Sequence, residues 1–191
     1  RANEIARQAL REKLGLDQPL MNQYLSYLKE LSHGNLGETL NTQESVKQLI
    51  AKTLPASIEL GICALIIACG IGLIIGFSGI SRPEGKTDFL GRLYGISTYA
   101  LPPFWAAMIV QIFFAVVLGW LPIGGRFPPG LSEPEGTGFF LIDSIFTGNW
   151  IAFQGAIRHL LLPASTLGIL LSGIFSRSLR MNLNRTLQSD Y

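Results

Sequence analysis

Between Leu93 and Gly125 the chain carries no charged side chain, and between Ala56 and Ile80 it carries only Glu59. About 20 apolar residues let an α-helix cross the roughly 30 Å hydrocarbon core of a bilayer. In that solvent every backbone N–H and C=O must be paired internally, and a helix does this within one segment. A third run, His159 to Ser176, is also free of charge and contains Pro163. The sequence therefore predicts an all-α, polytopic membrane protein with three spans, at about 56–80, 93–121 and 159–176. Pro102-Pro103 and Pro163 predict kinks in the second and third, which neighbouring helices must compensate.

The charges lie elsewhere. Residues 1–53 hold 13 of the 28 charged side chains, which argues against both a disordered chain and a soluble globule with charges over its whole surface. The net charge of +2 and the lack of a basic stripe interleaved with aromatics argue against nucleic acid. Cys63 and Cys69 share one apolar run, about 9 Å apart along a helix, too far for a disulfide. With Arg1 in place of an initiator Met, the sequence reads as an internal piece of a longer chain.

Residues 1–55 form a polar, helix-rich segment ahead of the first span, and 56–191 a membrane domain. Ile5, Ala9, Leu10 and Leu14 recur at helical spacing before Gly15. Asp17 is placed to cap a second helix with Pro19 in its first turn and Leu20, Tyr24, Leu28 and Leu31 on its apolar face. Asn41 followed by Glu44 resembles a capping box for a third helix, able to lie at the membrane surface before Pro55. The connection from Leu121 to Arg158 begins with irregular Gly- and Pro-rich chain. Its second half, Phe139 to Phe153, is too short and interrupted to span, so it re-enters the membrane or lies along the surface. Such a long loop is usually functional. Arg82, Lys86, Arg92, Arg177, Arg180 and Arg185 on one side outnumber Lys47, Lys52, Arg126 and Arg158 on the other. The excess places residues 81–92 and the C-terminal tail in the cytoplasm, and the long loop outside.

There is no G-x-x-x-x-G-K-[ST] loop and no Cys/His/Asp/Glu set at metal-ligand spacing. His33 and His159 each border an expected helix end. Gly76-Phe77-Ser78-Gly79 reads G-x-S-G, the nucleophile motif of rhomboid-type intramembrane proteases, but a serine nucleophile needs a base within hydrogen-bond reach. Ser78 ends the first span and His159 begins the third, so about 30 Å of bilayer separates them; the motif reads as a helix exit. Glu59, three residues inside its apolar run, has an interfacial or structural role or lines a polar pathway. Gln111, mid-span, needs a hydrogen-bond partner and faces the bundle or a substrate route. Ala68-Gly72-Gly76 is a small-xxx-small ridge for close helix packing. Tyr94, Tyr99, Trp105 and Trp120 read as interfacial or packing aromatics. The residues favour transport over catalysis.

Five collinear stretches go further. Leu14-Gly15-Leu16-Asp17-Gln18-Pro19-Leu20 with Gln23-Tyr24, then Gly34-Asn35-Leu36-Gly37 and Leu54-Pro55-Ala56-Ser57-Ile58-Glu59-Leu60, occur in order. Leu101-Pro102-Pro103-Phe104-Trp105 with Leu118-Gly119-Trp120-Leu121-Pro122 and Gly124-Gly125 follows, and Arg158-His159-Leu160-Leu161-Leu162-Pro163-Ala164 closes the series. Together they resemble the permease subunits of bacterial ABC importers for dipeptides, oligopeptides and nickel, with Asn35 where the family has Asp.

The resemblance implies the type I ABC importer permease fold in the bacterial cytoplasmic (inner) membrane, one more span before residue 1 and two beyond the cytoplasmic loop that follows the third. That loop carries the EAA motif, whose helix docks on the ATPase; Gln188-Ser189-Asp190-Tyr191 resembles its beginning, so Asp190 and Tyr191 mark the approach to the coupling element. It also implies alternating access with a second permease subunit, two ATP-binding subunits and an extracytoplasmic solute-binding protein, no cofactor, and no catalysis in this chain. Glu59 and Gln111 are the candidates for the substrate path. A same-family permease for glutathione or an oligosaccharide, a non-ABC transporter or scaffold, and an intramembrane enzyme are the alternatives.

Overall fold

The computed structural model describes Glu4, Gln8, Arg11 and residues 16–39, 42–80 and 85–188. Its regular structure is helical, and among the described residues the sole β feature is an isolated bridge between Glu38 and Ser45. The chain divides into two units, Arg1–Thr53 and Leu54–Tyr191.

In the first unit, α1 spans Leu20–Ser32. Pro19, not Asp17, is its N-cap, and no side chain caps it. Gln23 Nε2 instead donates to the carbonyls of Leu16 and Gln18, at 3.2 and 2.7 Å, and so fixes the preceding turn. The helix ends at His33, where Gly34 adopts φ +76°, the left-handed exit that glycine makes without a Cβ penalty. Leu20, Tyr24, Leu28 and Leu31 are all exposed. The helix expected around Ile5–Leu14 lies outside the described residues, as does Asn41. Glu44 closes a short loop, its backbone pairing with that of Thr39. The separate surface helix expected before Pro55 does not exist: α2 runs unbroken from Val46 to Ile80, with Pro55 inside it. Nine residues in, that proline costs one backbone hydrogen bond and the helix continues.

Among the described residues, two helices are long and apolar enough to cross a membrane, one over Val46–Gly79 and one over Trp150–Leu183. The second belongs to α6, Trp150–Gln188, which contains Pro163. The expected span at 159–176 is thus its central portion, and His159 lies within the helix rather than at its start. Phe139–Phe153, expected as one interrupted segment, is divided: α5 covers Phe140–Phe146, and Trp150 already begins α6. The expected second span is two helices, α3 (Lys86–Ala100) and α4 (Pro103–Gln111), followed by a π-helical turn at Ile112–Val117. The break at Leu101-Pro102 bends the axis by 98°. Counted as one broken span, this pair makes three crossings. Lys86 and Arg92, expected in a loop, lie on α3.

The packing reverses that of a water-soluble protein. The buried apolar side chains are mostly alanines (Ala64, Ala68, Ala115, Ala152, Ala156, Ala164), whereas Ile66, Ile74, Phe77, Ile96 and Phe104 are exposed. Where lipid supplies the apolar surroundings, helices associate through small residues and close van der Waals contact. The Ala68-Gly72-Gly76 ridge is used in this way against α6. A Cβ on Gly72 would stand 2.6 Å from Phe175 Cβ and 2.9 Å from the Ser172 carbonyl oxygen, and one on Gly168 would stand 2.6 Å from Ile67 Cγ2. Between α3 and α6 the contact is polar. Tyr94 Oη lies 2.5 Å from Ser172 Oγ and donates to the Ile169 carbonyl at 3.1 Å.

Arg180, counted in the sequence among the exposed cations of the tail, is 9% exposed. Its Nη1 donates to Asp88 Oδ1 at 2.9 Å and to the Asp88 carbonyl at 3.2 Å, while Arg92 reaches the other carboxylate oxygen at 2.9 Å. The guanidinium fits because Gly79 and Gly91 flank it: a Cβ on Gly79 would lie 2.6 Å from its Cζ.

Replacing Gly72 by Leu is expected to destabilise the helix pair by about 1–3 kcal/mol, the usual cost of overpacking. Ile74→Ala, on the exposed face, is expected to change stability far less. Thermal unfolding of both variants in the same detergent checks this.

Candidate functional site

The long connection is held to α2 by one buried carboxylate. Glu59, in the interior of α2, is 8% exposed. Its Oε2 receives Arg126 Nη2 at 3.1 Å, and its Oε1 receives the Leu141 N–H at 2.7 Å. Leu141 is the second residue of α5, where backbone N–H groups have no partner within the helix. Both carboxylate oxygens are therefore occupied, one by a cation and one by a helix start.

Arg126 is itself committed. The same Nη2 donates to the Gly138 carbonyl, and its Cζ sits 3.8 Å from the centre of the Phe140 ring, within cation–π range. Phe127 meets Phe140 edge-to-face at 5.4 Å. The turn before α5 is built by Asp143, which accepts the Thr137 N–H at 3.0 Å, the Thr137 hydroxyl at 2.9 Å and the Gly138 N–H at 2.9 Å. Burial pushes the Asp143 carboxyl up, but these three donors and the charge of Arg126 outweigh it and hold the group below the ordinary carboxylate range. Gly136 and Gly138 permit the turn: a Cβ on Gly136 would stand 2.6 Å from Asp143 Oδ1, and one on Gly138 would stand 3.2 Å from Pro55 Cγ.

Gln111, the other pathway candidate, ends α4 and donates through Nε2 to the carbonyl of Ile123. Glu59 and Gln111 thus share one task. Each is a polar group on a span that grips the backbone or a side chain of the 118–149 connection, at separate points.

Sequence reasoning missed Arg126 and Asp143 as partners in this arrangement. A faint signal existed: Arg126 is the first charge after the blank from 93 to 125, and Asp143 follows Gly136-Thr137-Gly138 at turn spacing. Asp190 and Tyr191 lie outside the described residues.

The serine-protease reading finds no support. Ser78 Oγ donates to the Ile75 carbonyl at 3.0 Å, and His159 Nδ1 pairs with the Gly155 carbonyl at 2.9 Å. Gly79 lies against Arg180, which is about 30 Å of helix rise beyond His159. Among the described residues, no group of three or more His, Cys, Asp or Glu could hold a metal ion.

A cavity of about 450 Å³ lies between the Gly119–Pro122 turn, Pro128 and the early turns of α6 at Gln154, Arg158 and His159. Another, of about 290 Å³, lies between α3 and α6 near Tyr99, Gly173 and Arg177.

The chain is 36% identical over 179 residues to the di/tripeptide transport system permease protein DppB of Pseudomonas aeruginosa, 94% of this chain and 53% of that one. It is 36% identical over 192 residues to the probable D,D-dipeptide transport system permease protein DdpB of Escherichia coli, 100% of this chain and 56% of that one. A dipeptide transport system permease protein DppB of Alkalihalophilus pseudofirmus gives 36% over 182 residues, 95% and 55%. Along nearly its whole length the chain is a homologue of DppB-type permease subunits. This is the family that the five collinear motifs resemble. The chain spans about half the length of these relatives, and no protein-family model matches it.

Glu59→Gln removes the charge that neutralises Arg126 and is expected to cost about 3 kcal/mol, the lower edge for breaking a buried pair. Limited proteolysis should then cut faster between residues 121 and 149. Because the Asp143 carboxyl is lowered in the folded chain, its stabilisation is present above the unfolded value of about 3.9 and is lost as pH falls through the folded value. Protease resistance of the loop is thus expected to hold at pH 5 and to weaken below about pH 4, and Asp143→Asn should remove the part of that acid dependence that Asp143 carries.

Proposed function

We propose that the chain is part of the membrane-spanning permease subunit of a binding-protein-dependent ABC importer for short peptides, in the bacterial cytoplasmic membrane. The observation that carries this is the homology to dipeptide-transport permeases over 94–100% of the chain. Helices that bury alanine and glycine and expose isoleucine and phenylalanine support it. A partner chain would hydrolyse ATP, and a second permease subunit would complete the path.

On this reading the charge bias puts residues 81–92 and the tail in the cytoplasm, with Asp190 and Tyr191 leading toward the ATPase. Residues 1–55 and the 121–158 connection would face the solute-binding protein. Glu59 and Gln111 would act on the path through the loop they hold rather than by touching the solute, since their polar groups are engaged by Arg126, Leu141 and Ile123. Movement of that loop is then coupled to α2 and α4, the coupling that alternating access requires between its outer rim and its spans.

Cells lacking the gene are expected to lose uptake of labelled dipeptide while taking up nickel, glutathione and oligosaccharide normally. Loss of one of those solutes instead, with dipeptide uptake intact, overturns the peptide assignment. Replacing residues 121–149, the connection that ends where α6 begins, by a flexible linker of equal length is expected to abolish uptake while leaving the protein inserted in the membrane. Unchanged uptake would remove the loop from the mechanism.

A further inference from the structure

The cavity at the start of α6 has a chemistry that the loop anchor does not use. Gly119, Trp120, Leu121, Pro122 and Pro128 form one wall, and Ile151, Gln154, Gly155, Arg158 and His159 the other. Its volume of about 450 Å³ falls within the roughly 300–1,000 Å³ of small-molecule sites. Arg158 and His159 are its ionisable groups, and no Asp or Glu lines it. Glu59 of α2 and Asp143 of α5 are engaged elsewhere, Glu59 by Arg126 and Leu141 and Asp143 by Thr137 and Gly138.

Arg158 is exposed. One of its Nη2 hydrogens goes to the Trp120 carbonyl at 3.3 Å, which steadies the side chain across the cavity and leaves the other guanidinium donors. His159 is half-buried, and its Nδ1 donates to the Gly155 carbonyl at 2.9 Å, which fixes the ring as part of the wall and leaves Arg158 as the donor to an anion. Trp120, 61% exposed, adds an indole face beside the guanidinium. A guanidinium fork held by one hydrogen bond, a histidine ring and an aromatic wall, with no carboxylate in the lining, make a receptor for a planar or tetrahedral oxyanion attached to a partly apolar body.

We infer that this cavity is an oxyanion-binding site in which Arg158 makes the charge-assisted contact and His159 and Trp120 complete the wall. The ligand is the terminal carboxylate of a short peptide or the phosphodiester of a lipid headgroup, which present the same chemistry to the fork. The carboxylate source rests on the transport reading above; the site itself does not.

The test uses the full-length protein in dodecyl maltoside micelles, which carry no phosphate, with tryptophan emission and ligand NMR line-broadening as readouts. Alanyl-alanine is expected to bind saturably, and alanyl-alanine amide, which lacks the carboxylate, at least about tenfold more weakly. Arg158→Gln should weaken alanyl-alanine by a similar factor, and Arg158→Lys, which keeps the charge, by less. Unaltered circular dichroism and thermal midpoint in Arg158→Gln identify a folded variant. If phosphatidylglycerol added to the micelles displaces the dipeptide, and this displacement needs Arg158, the site stands with lipid phosphate as its ligand. Equal binding of both dipeptide forms, or equal responses of wild type and Arg158→Gln to dipeptide and to phosphatidylglycerol, overturns the inference. Loss of the transport reading would show instead as normal dipeptide uptake in cells lacking the gene, with Arg158-dependent binding intact.

Discussion

Close approach of α2 and α6 is the constraint on which the rest of this structure depends. Hydrocarbon offers no hydrophobic drive to bring two apolar helices together, so attraction must come from van der Waals contact at short range. Gly72 and Gly168 allow that range, each leaving space that a single added carbon would fill to within 2.6 Å of the opposite helix. Once the two long helices are fixed in this way, their polar side chains have fixed places too. Tyr94 and Thr98 of α3 can then be positioned against Ser172 and Gly173 of α6.

The two buried ionic arrangements lie toward opposite ends of this pair. Glu59 and Arg126 join the long connection to α2, and Asp88 and Arg180 join α3 to α6. Neither pair is an argument for great stability, because taking two charges out of water costs about as much as their attraction returns. Their effect is on geometry. A carboxylate whose two oxygens are both occupied fixes where the loop meets the helix, and an arginine threaded between Gly79 and Gly91 fixes how far apart three helices stand.

What the sequence made legible follows from the range of each signal. Apolar runs are local and long, so the spans at 56–80 and 159–176 were visible as parts of α2 and α6. The small-residue ridge was visible because Ala68, Gly72 and Gly76 repeat at helical spacing. Helix ends were less so: Pro55 and Pro163 read as stops or kinks yet sit inside continuous helices, because flanking residues with strong helical preference carry the chain past one missing donor. Pairing across 67 residues, as between Glu59 and Arg126, leaves no periodic trace. Arg180 likewise read as a topogenic surface charge, since nothing local announces that two glycines elsewhere make room for it.

The break between α3 and α4 settles which way that part of the chain can face. Helical carbonyls accept from the N–H four residues on, and for Thr98 and Tyr99 those residues are Pro102 and Pro103, which have none. Two backbone oxygens are thereby freed in the middle of an apolar stretch, and hydrocarbon cannot hydrate them. The bend is therefore a rotational key. Lipid can touch Ile96 and Phe104, but the carbonyl side of the elbow is reserved for protein or for water, and so the bend marks where, along a charge-free segment, contact with hydrocarbon must end.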